Sequence, residues 1–326
     1  MQNQDLVNQL IDCKQVLAIM GPTASGKSAL SMALAQALPI EIISVDSALI
    51  YRQMDIGSAK PTPDEMAQVP HHLIDIIDPV QSYSASEFVD DVHRLVKEIF
   101  ERAKLPVLVG GTMMYFNALQ QGLNDLPSAN EAVREKLQRQ WQEQPELLHQ
   151  RLSEVDSESA QRIHPNDPQR LIRALEVFET TGKTLSEHRQ APKNSLTEFD
   201  LVKIALIPEN RTKLHAQIAL RFEQMLEQGF LNEVQRLMQR GDLEADMTSI
   251  RCVGYRQAWS YLEGEYDYEM FLHKGIVATR QLAKRQLTWL RKEGDITLID
   301  PYVSTLEQRV QKSIDCLERA VKNKHH

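Results

Sequence analysis

The sequence predicts an α/β protein built on a parallel sheet core with flanking helices, into which an all-helical domain is inserted. Short apolar runs alternate with segments of helical periodicity, and the runs lie at 16–20, 41–45, 105–109 and 201–207. Such alternation is typical of doubly wound parallel sheets. Between residues 124 and 198 several helical patterns follow one another without a strand pattern. We therefore expect a core of residues 1–123 plus 199–326, with its C-terminal helices, and a helical insertion domain of residues 124–198.

The remaining elements also have local signals. Further strands are predicted at 73–77 and 296–299, and helices at 29–38, 84–102, 145–155, 169–181, 210–228, 231–240, 268–292 and from Ser304 onwards. Pro39 ends the first of these helices, and Asp167-Pro168 supplies an N-cap and a first-turn proline for the helix at 169–181. The run Ser128-Ala129-Asn130-Glu131 has the pattern of a capping box that begins a helix extending to Trp141.

Composition excludes several classes of protein. The 326 residues are 42% hydrophobic and 25% charged, as in an ordinary globular protein. No apolar run approaches the roughly 18 residues of a membrane span, and the N-terminus lacks the features of a signal peptide. The three cysteines are widely spaced, which favours a reducing compartment and argues against a structural zinc. We expect a cytoplasmic monomer that does not contact a membrane.

The most specific motif is a glycine-rich loop between the first strand and the first helix. It matches G-x-x-x-x-G-K-[ST], the pattern of the phosphate-binding P-loop, and consists of Gly21, Pro22, Thr23, Ala24, Ser25, Gly26, Lys27 and Ser28. Backbone N–H groups at the start of a helix have no intrahelical partners and therefore bind anions. Lys27 adds a positive charge, and the Ser28 hydroxyl can ligate a Mg²⁺ ion that bridges phosphates. A nucleotide such as ATP is the usual ligand, but any diphosphate has the same end group.

Three further residues are candidates for chemistry at this loop. Asp46 ends the second strand, where it is either a ligand of Mg²⁺-bound water, a general base for an acceptor beside the phosphates, or a simple turn cap. Thr112 follows two glycines at another strand end and is either structural or orients an acceptor. Arg221 lies at the margin of an apolar helix stripe, where a surface position and an inward contact with an anion are both open.

Three basic segments suggest a nucleic acid partner despite the net charge of −8. No acidic residue lies between Glu269 and Glu293, whereas six basic residues do, and Trp289 is an aromatic side chain able to stack on a base. We expect Arg280, Lys284 and Arg291 to share the exposed face of this helix. The second segment is 251–256, which is rich in arginine and contains Tyr255. Arg170 and Arg173, on the exposed side of a helix in the insertion, form the third.

Together these motifs resemble one family, the bacterial-type tRNA dimethylallyltransferases, also called tRNA isopentenyltransferases. The resemblance covers residues 15–292 and is carried, in order, by GPTASGKS, VDSALIYRQMDIGSAKP, PHHLID, LVGGTMMYF, HPNDPQRLIRALEV, SIRCVGYRQAW and TRQLAKRQLTWLR. The resemblance implies a transferase that modifies tRNA. A dimethylallyl group would pass from dimethylallyl diphosphate to the exocyclic amine of the adenosine on the 3′ side of the anticodon. The tRNAs implied are those that read codons beginning with U.

The resemblance also implies roles for individual residues. The P-loop would hold the diphosphate with Mg²⁺, Arg221 would contact the donor, Asp46 would be the general base and Thr112 its companion. The implied contacts with the anticodon stem-loop are Asp46, Ser47, Ala48, Leu49, Gln169, Arg170, Leu171, Ile172, Arg173, Arg251, Cys252, Val253, Gly254, Tyr255, Arg256, Lys284, Arg285, Gln286, Leu287, Thr288, Trp289, Leu290 and Arg291. Eukaryotic relatives carry a C-terminal zinc finger, whose cysteine and histidine pattern this sequence lacks.

Two alternatives account for part of these observations. An ATP-dependent small-molecule or nucleoside kinase would explain the P-loop, Asp46 and the α/β core, but it leaves the basic segments unexplained. A non-enzymatic, nucleotide-dependent RNA-binding regulator would explain the loop and the basic segments, but it has no use for Asp46.

Overall fold

The core of the protein is a parallel sheet of six strands. The computed structural model describes residues 2–122, 126–127, 129–190 and 198–324. The strands are β1 (Gln15–Met20), β2 (Ile40–Val45), β3 (His71–His72), β4 (Leu105–Gly110), β5 (Asp200–Leu206) and β6 (Ile296–Ile299). Their order in the sheet is β3-β2-β4-β1-β5-β6, and every pairing is parallel. The carboxyl ends of β2, β4 and β1 therefore lie side by side, which is where ligands bind in sheets of this kind.

Helices make up most of the rest of the described chain. They are α1 (Gln2–Asp12), α2 (Lys27–Ala37), α3 (Pro63–Gln68), α4 (Ala85–Glu101), α5 (Met113–Gln121), α6 (Glu131–Glu143), α7 (Pro145–Val155), α8 (Ser157–Arg162), α9 (Pro168–Thr181), α10 (Leu185–Gln190), α11 (Arg211–Glu227), α12 (Phe230–Gln239), α13 (Tyr255–Leu262), α14 (Tyr268–Leu290) and α15 (Leu306–Lys324). Within the described ranges, none is long and apolar enough to cross a membrane. The predicted α/β class is confirmed.

The chain divides into two compact units. The larger consists of Met1–Phe116 with Thr197–His326, and the smaller of Asn117–Leu196. The larger unit has a buried cluster in which the strands pack against α1, α2 and α15, and another formed mainly by α11, α12, α13 and α14. The smaller unit has its own core around Leu152, Leu171 and Leu175. Each unit thus has the separate apolar core that an independent domain requires.

The predicted strand at 73–77 is wrong. The strand in this region is the two-residue β3, and the chain leaves the extended conformation directly after it, because Leu73 and Asp75 have φ values of 60° and 55°. The N–H groups of Ile76 and Ile77 instead bond to the carbonyl of Ile50, at 2.9 and 3.1 Å. The apolar residues of this run are therefore held by a neighbouring loop and not by a sheet ladder.

The predicted capping box at 128–131 is also wrong as a helix start. Ser128 lies outside the described residues, and α6 begins at Glu131. Its N-cap is Asn130, whose side chain accepts a hydrogen bond from the Val133 N–H at 3.3 Å. Asparagine is as good an N-cap as serine, so the helix starts two residues later than the pattern suggested.

Candidate active site

The P-loop links β1 to α2 and turns sharply to do so. Ala24 and Gly26 have φ values of 61° and 83°, in the left-handed region, and α2 begins at the next residue, Lys27. A side chain at position 21 is excluded by close packing, because its Cβ would stand 2.6 Å from the Ser25 Oγ. The loop therefore directs the unpaired N–H groups of the first turn of α2 into one concavity.

Lys27 is held within the loop and is poorly solvated. Its Nζ donates hydrogen bonds to the carbonyl oxygens of Gly21, at 3.0 Å, and Pro22, at 2.8 Å. Burial lowers the pKa of Lys27 from 10.5 to about 8; the negative charge of Asp46 opposes this shift and the positive charge of Arg221 adds to it. These three groups therefore share one electrostatic environment.

Asp46 and Thr112 stand at the ends of neighbouring strands, β2 and β4. The Asp46 Oδ1 accepts a hydrogen bond from the Ala48 N–H at 2.9 Å, as a turn cap does. The Thr112 Oγ1 accepts one from the Ser47 N–H at 3.1 Å, and the Thr112 N–H donates to the Val45 carbonyl at 3.1 Å. Thr112 thus fixes the turn that carries Asp46, while the Asp46 side chain itself lines the cavity described next.

A cavity of about 610 Å³ joins these groups. Lys27, Ser28, Asp46, Thr112 and Arg221 all line it. One wall is a stripe of α14 at helical spacing, formed by Thr279, Leu282, Gln286 and Trp289, and another is apolar, formed by Ile218, Phe222 and Met225. Its volume is that of a small-molecule site.

Arg221 points into this cavity and not to the surface. Burial lowers its pKa, and the charge of Asp46 opposes that shift. Of the two positions that the sequence left open, the inward one is therefore observed. The cavity is lined by the basic side chains Lys27, Lys60, Arg221, Arg251 and Arg285 and by the carboxylates Asp46 and Glu65, so cations outnumber carboxylates there.

The chain is similar to known proteins over most of its length. Residues 49–293 match the model of a family described as IPP transferase. The chain is 62% identical over 318 residues to the tRNA dimethylallyltransferase of Hydrogenovibrio crunogenus, covering 97% of this chain and 98% of the relative. A tRNA dimethylallyltransferase of Neisseria meningitidis is 58% identical over 292 residues, with coverage of 88% and 93%. The chain belongs to the IPP transferase family. The predicted family is thereby confirmed, and neither the kinase nor the non-enzymatic regulator is supported.

Solved structures show the same likeness for this IPP transferase. A tRNA isopentenylpyrophosphate transferase from Bacillus halodurans is 38% identical with a TM-score of 0.71, covering 96% of this chain and 100% of that one. A eukaryotic dimethylallyltransferase described as acting on tRNA is 28% identical with a TM-score of 0.77, covering 92% and 78%.

The basic helix α14 has two different faces. Lys284, Arg285 and Trp289 are exposed, and the last two also line the cavity, whereas Leu287 and Leu290 are buried. Arg280, expected on the exposed face, is half-buried. Gln286 is also half-buried, because its side chain bonds to the P-loop and to the loop after β4.

The segment 251–256 lies beside the cavity, but its aromatic ring does not face solvent. Tyr255 is 1% exposed and donates a hydrogen bond from its hydroxyl to the Glu233 Oε1 at 2.6 Å. The contact with tRNA that the resemblance implies for Tyr255 therefore does not fit its buried position. Arg251 and Arg256 are exposed, and burial raises the pKa of the Cys252 thiol to about 12.

Glu233 is an important residue that the sequence analysis missed. Its buried carboxylate accepts hydrogen bonds from the N–H groups of Asp55, Ile56 and Gly57, at 3.0, 2.8 and 3.1 Å, in addition to the Tyr255 hydroxyl. It thereby holds the loop after Asp46 in place. The sequence does contain one indication that Glu233 is buried, because it shares the apolar side of α12 with Phe230, Val234 and Leu237.

The third basic segment, on α9 in the smaller unit, is only partly accessible. Gln169 and Arg170 are exposed, and Arg170 pairs with Asp167 at 2.9 Å. Arg173, expected on the exposed side, is half-buried and donates hydrogen bonds to the Glu176 carboxylate and the Pro127 carbonyl, both at 2.8 Å. Its guanidinium supports the fold of this unit.

Proposed function

We propose that this protein transfers the dimethylallyl group of dimethylallyl diphosphate to the exocyclic amine of an adenosine in tRNA, on the 3′ side of the anticodon. One observation carries the proposal: the Asp46 carboxylate lines the same cavity as two partly desolvated cations, Lys27 of the P-loop and Arg221 of α11. Two similar relatives are named tRNA dimethylallyltransferase, which supports transfer of a dimethylallyl group to tRNA. In this proposal Asp46 is the base, and Lys27 and Arg221 bind the leaving group.

The diphosphate end of the donor binds at the P-loop. The first N–H groups of α2 donate to its oxygens, and Arg221 contributes a fixed positive charge. The Lys27 ammonium has three donors, of which two bond to the Gly21 and Pro22 carbonyls, so the third remains for the diphosphate. These groups stabilise the charge that develops as the bond between the allylic carbon and the diphosphate oxygen breaks.

Asp46 acts on the acceptor amine. An adenine amine is a weak nucleophile, so its proton leaves as the new carbon–nitrogen bond forms. The Ala48 N–H holds Oδ1 in place, and we assign Oδ2 to that proton. Thr112 holds the turn that follows β2 through its bond from the Ser47 N–H, and it lines the cavity in which we place the adenine.

The adenine reaches Asp46 only if it leaves its stack. The cavity has a rim that suits an extruded base, because Met114 and Trp289 line it and are 54% and 44% exposed. A flipped base is bound by stacking between aromatic or apolar side chains, which Trp289 and Met114 supply at this rim. Lys284 and Arg285, on the same helix as Trp289, are placed to bind the phosphates of the RNA.

The site also fits a Mg²⁺ ion. Within the described part of the chain, no group of three or more His, Cys, Asp or Glu side chains could form a metal cage. Mg²⁺ needs no such cage, since it is usually held by one or two protein oxygens together with substrate phosphates and water. The exposed Ser28 hydroxyl, at the start of α2, is the residue that would hold it. Bound there, the ion would neutralise charge on the diphosphate.

Substitution of Asp46 tests this function. We expect Asp46→Asn to bind tRNA normally and to prenylate it about 10²- to 10⁴-fold more slowly, because the amide cannot accept the proton. Mass spectrometry of tRNA incubated with the protein, Mg²⁺ and dimethylallyl diphosphate measures the rate. Asp64→Asn, an exposed substitution on α3, is the matched control. A normal rate for Asp46→Asn would rule out the base, and no product with the unaltered protein would rule out the reaction.

A further inference from the structure

The side chain of Gln286 connects two neighbouring loops at the edge of the sheet, the P-loop after β1 and the loop after β4. Its Oε1 accepts a hydrogen bond from the Thr23 N–H in the P-loop at 2.9 Å. Its Nε2 donates to the Gly111 carbonyl, after β4, at 3.0 Å. A Cβ at position 111 would stand 2.3 Å from that Nε2, so only glycine leaves room for the amide. The amide of Gln286 therefore packs closely against the backbone of both loops.

The two loops carry the two halves of the proposed reaction. Thr23 belongs to the loop that binds the diphosphate, and Gly111 precedes Thr112, whose hydroxyl holds the turn that carries Asp46. The carboxamide thus adds a link between the loop of the leaving group and the loop of the base, beyond the direct pairing of β1 with β4. Small errors in the separation between leaving group and base reduce rates strongly, since the reacting atoms must be held close together and aligned.

Gln286 is also joined to the face of α14 that we assign to RNA. Arg285 is its neighbour in sequence, and Trp289 lies about one turn further along the same side of the helix. The Oε1 and the Nε2 of Gln286 each make one hydrogen bond within the protein, which leaves one lone pair and one N–H for other partners. A contact of Gln286 with tRNA, which the resemblance implies, would be additional to these two bonds.

We propose that Gln286 is a positioning residue that locks the P-loop to the Thr112 turn and transmits engagement of α14 by tRNA to the diphosphate site. This inference rests on the proposed function. Binding of tRNA to α14 then stabilises the bridge, and the bridge stabilises the P-loop in the form that binds the diphosphate. Because such coupling is reciprocal, a bound diphosphate also tightens the binding of tRNA.

The test compares Gln286→Met, which keeps the length of the side chain and removes both hydrogen bonds, with Gln281→Met, an exposed substitution on the same helix. Dissociation constants of inorganic pyrophosphate with Mg²⁺ are measured with and without saturating tRNA. We expect tRNA to tighten pyrophosphate binding at least about fivefold in the unaltered protein and in Gln281→Met, and to have almost no effect in Gln286→Met.

In steady-state assays Gln286→Met raises the KM for the donor roughly tenfold, which corresponds to one or two lost hydrogen bonds. Its affinity for tRNA alone stays within about twofold.

A second variant covers the case in which Gln286→Met does not fold. Gln286→Glu retains the shape and an acceptor for the Thr23 N–H, but its carboxylate cannot donate to the Gly111 carbonyl. We expect it to fold and to lose the same coupling. Weaker tRNA binding with an unchanged donor KM in either variant would make Gln286 a tRNA contact and overturn the proposal, as would coupling equal to that of Gln281→Met. Pyrophosphate binding needs no prenyl transfer, so failure of the proposed reaction would be seen separately, as a lack of prenylated tRNA.

Discussion

The lowered pKa of Lys27 makes the affinity for the diphosphate depend on pH in a way that the structure specifies. In the free protein this pKa is about 8, against an ordinary value of 10.5, chiefly because the side chain is buried. A bound diphosphate favours the charged ammonium and raises the pKa again. Below about pH 8 Lys27 is therefore charged in both states, and it contributes no pH dependence to binding.

Above that pH, binding must first return a proton to Lys27. The affinity then falls by up to about tenfold for each pH unit, as linkage between protonation and binding requires. The fall ends near the pKa of the bound state, so restoring the ordinary value of 10.5 corresponds to a total loss of roughly 300-fold. Arg221 does not contribute, since a guanidinium stays protonated throughout this range even when burial lowers its pKa.

Isothermal titration calorimetry with inorganic pyrophosphate checks this result. Titrations in steps of about one pH unit give the affinity, and buffers of different ionisation enthalpy give the number of protons taken up. Lys27→Arg is the matched control, because arginine keeps its charge and removes this titration. The ligand's own titration is common to both proteins. Parallel pH profiles for the unaltered protein and Lys27→Arg would refute the reasoning.

Three further predictions follow from other parts of the structure. Lys284→Ala combined with Arg285→Ala should weaken tRNA binding and reduce the slope of log K against log salt by about 2, measured by filter binding; an unchanged slope would remove this face of α14 from the interface. Gly57→Ala should cost about 1–3 kcal/mol in urea unfolding, because its Cβ would stand 2.2 Å from the buried ring of Phe230; a wild-type midpoint would show that the ring can move. The buried Glu41 has a pKa of about 2, because hydrogen bonds from Arg102, His72 and Lys104 outweigh the burial that raises it. Its contribution to stability is complete above pH 4.5 and lost as the pH falls towards 2, so Glu41→Gln should flatten that acid branch in unfolding experiments.

The parts of the site that the sequence predicted are those set by local chain geometry. The strand, P-loop and helix at 16–38 are consecutive, so a single motif determined where the N–H groups point. Asp46 and Thr112 follow two apolar strands, and parallel strands bring their carboxyl ends to the same edge of a sheet. These positions required no knowledge of which helix packs where.

The parts that could not be predicted depend on contacts between distant segments. Gln286 bonds to residues 263 and 175 positions away, and Glu233 to backbone groups nearly as far from it in sequence. No periodicity marks such partners. Arg221 sat at the margin of its helix stripe, and only the packing of α11 beside the P-loop decided that it faces inward. The strand predicted at 73–77 is absent for a related reason. The N–H groups of Ile76 and Ile77 donate to the carbonyl of Ile50, which is distant in sequence, and not to a neighbouring strand of the sheet.

The charges of the cavity explain why a carboxylate suits the proposed base. Burial lowers the pKa of both Lys27 and Arg221, and the charge of Asp46 opposes that shift. Before the reaction, the negative charge of Asp46 therefore partly offsets the two cations. As the allylic carbon leaves the diphosphate, that group gains negative charge, and Asp46 loses its own by accepting the proton of the amine. Negative charge thus moves from Asp46 to the diphosphate, and the cations interact with the diphosphate instead of with Asp46. A base that was neutral at the start would instead become a cation beside Lys27 and Arg221, whose burial already disfavours their own charges.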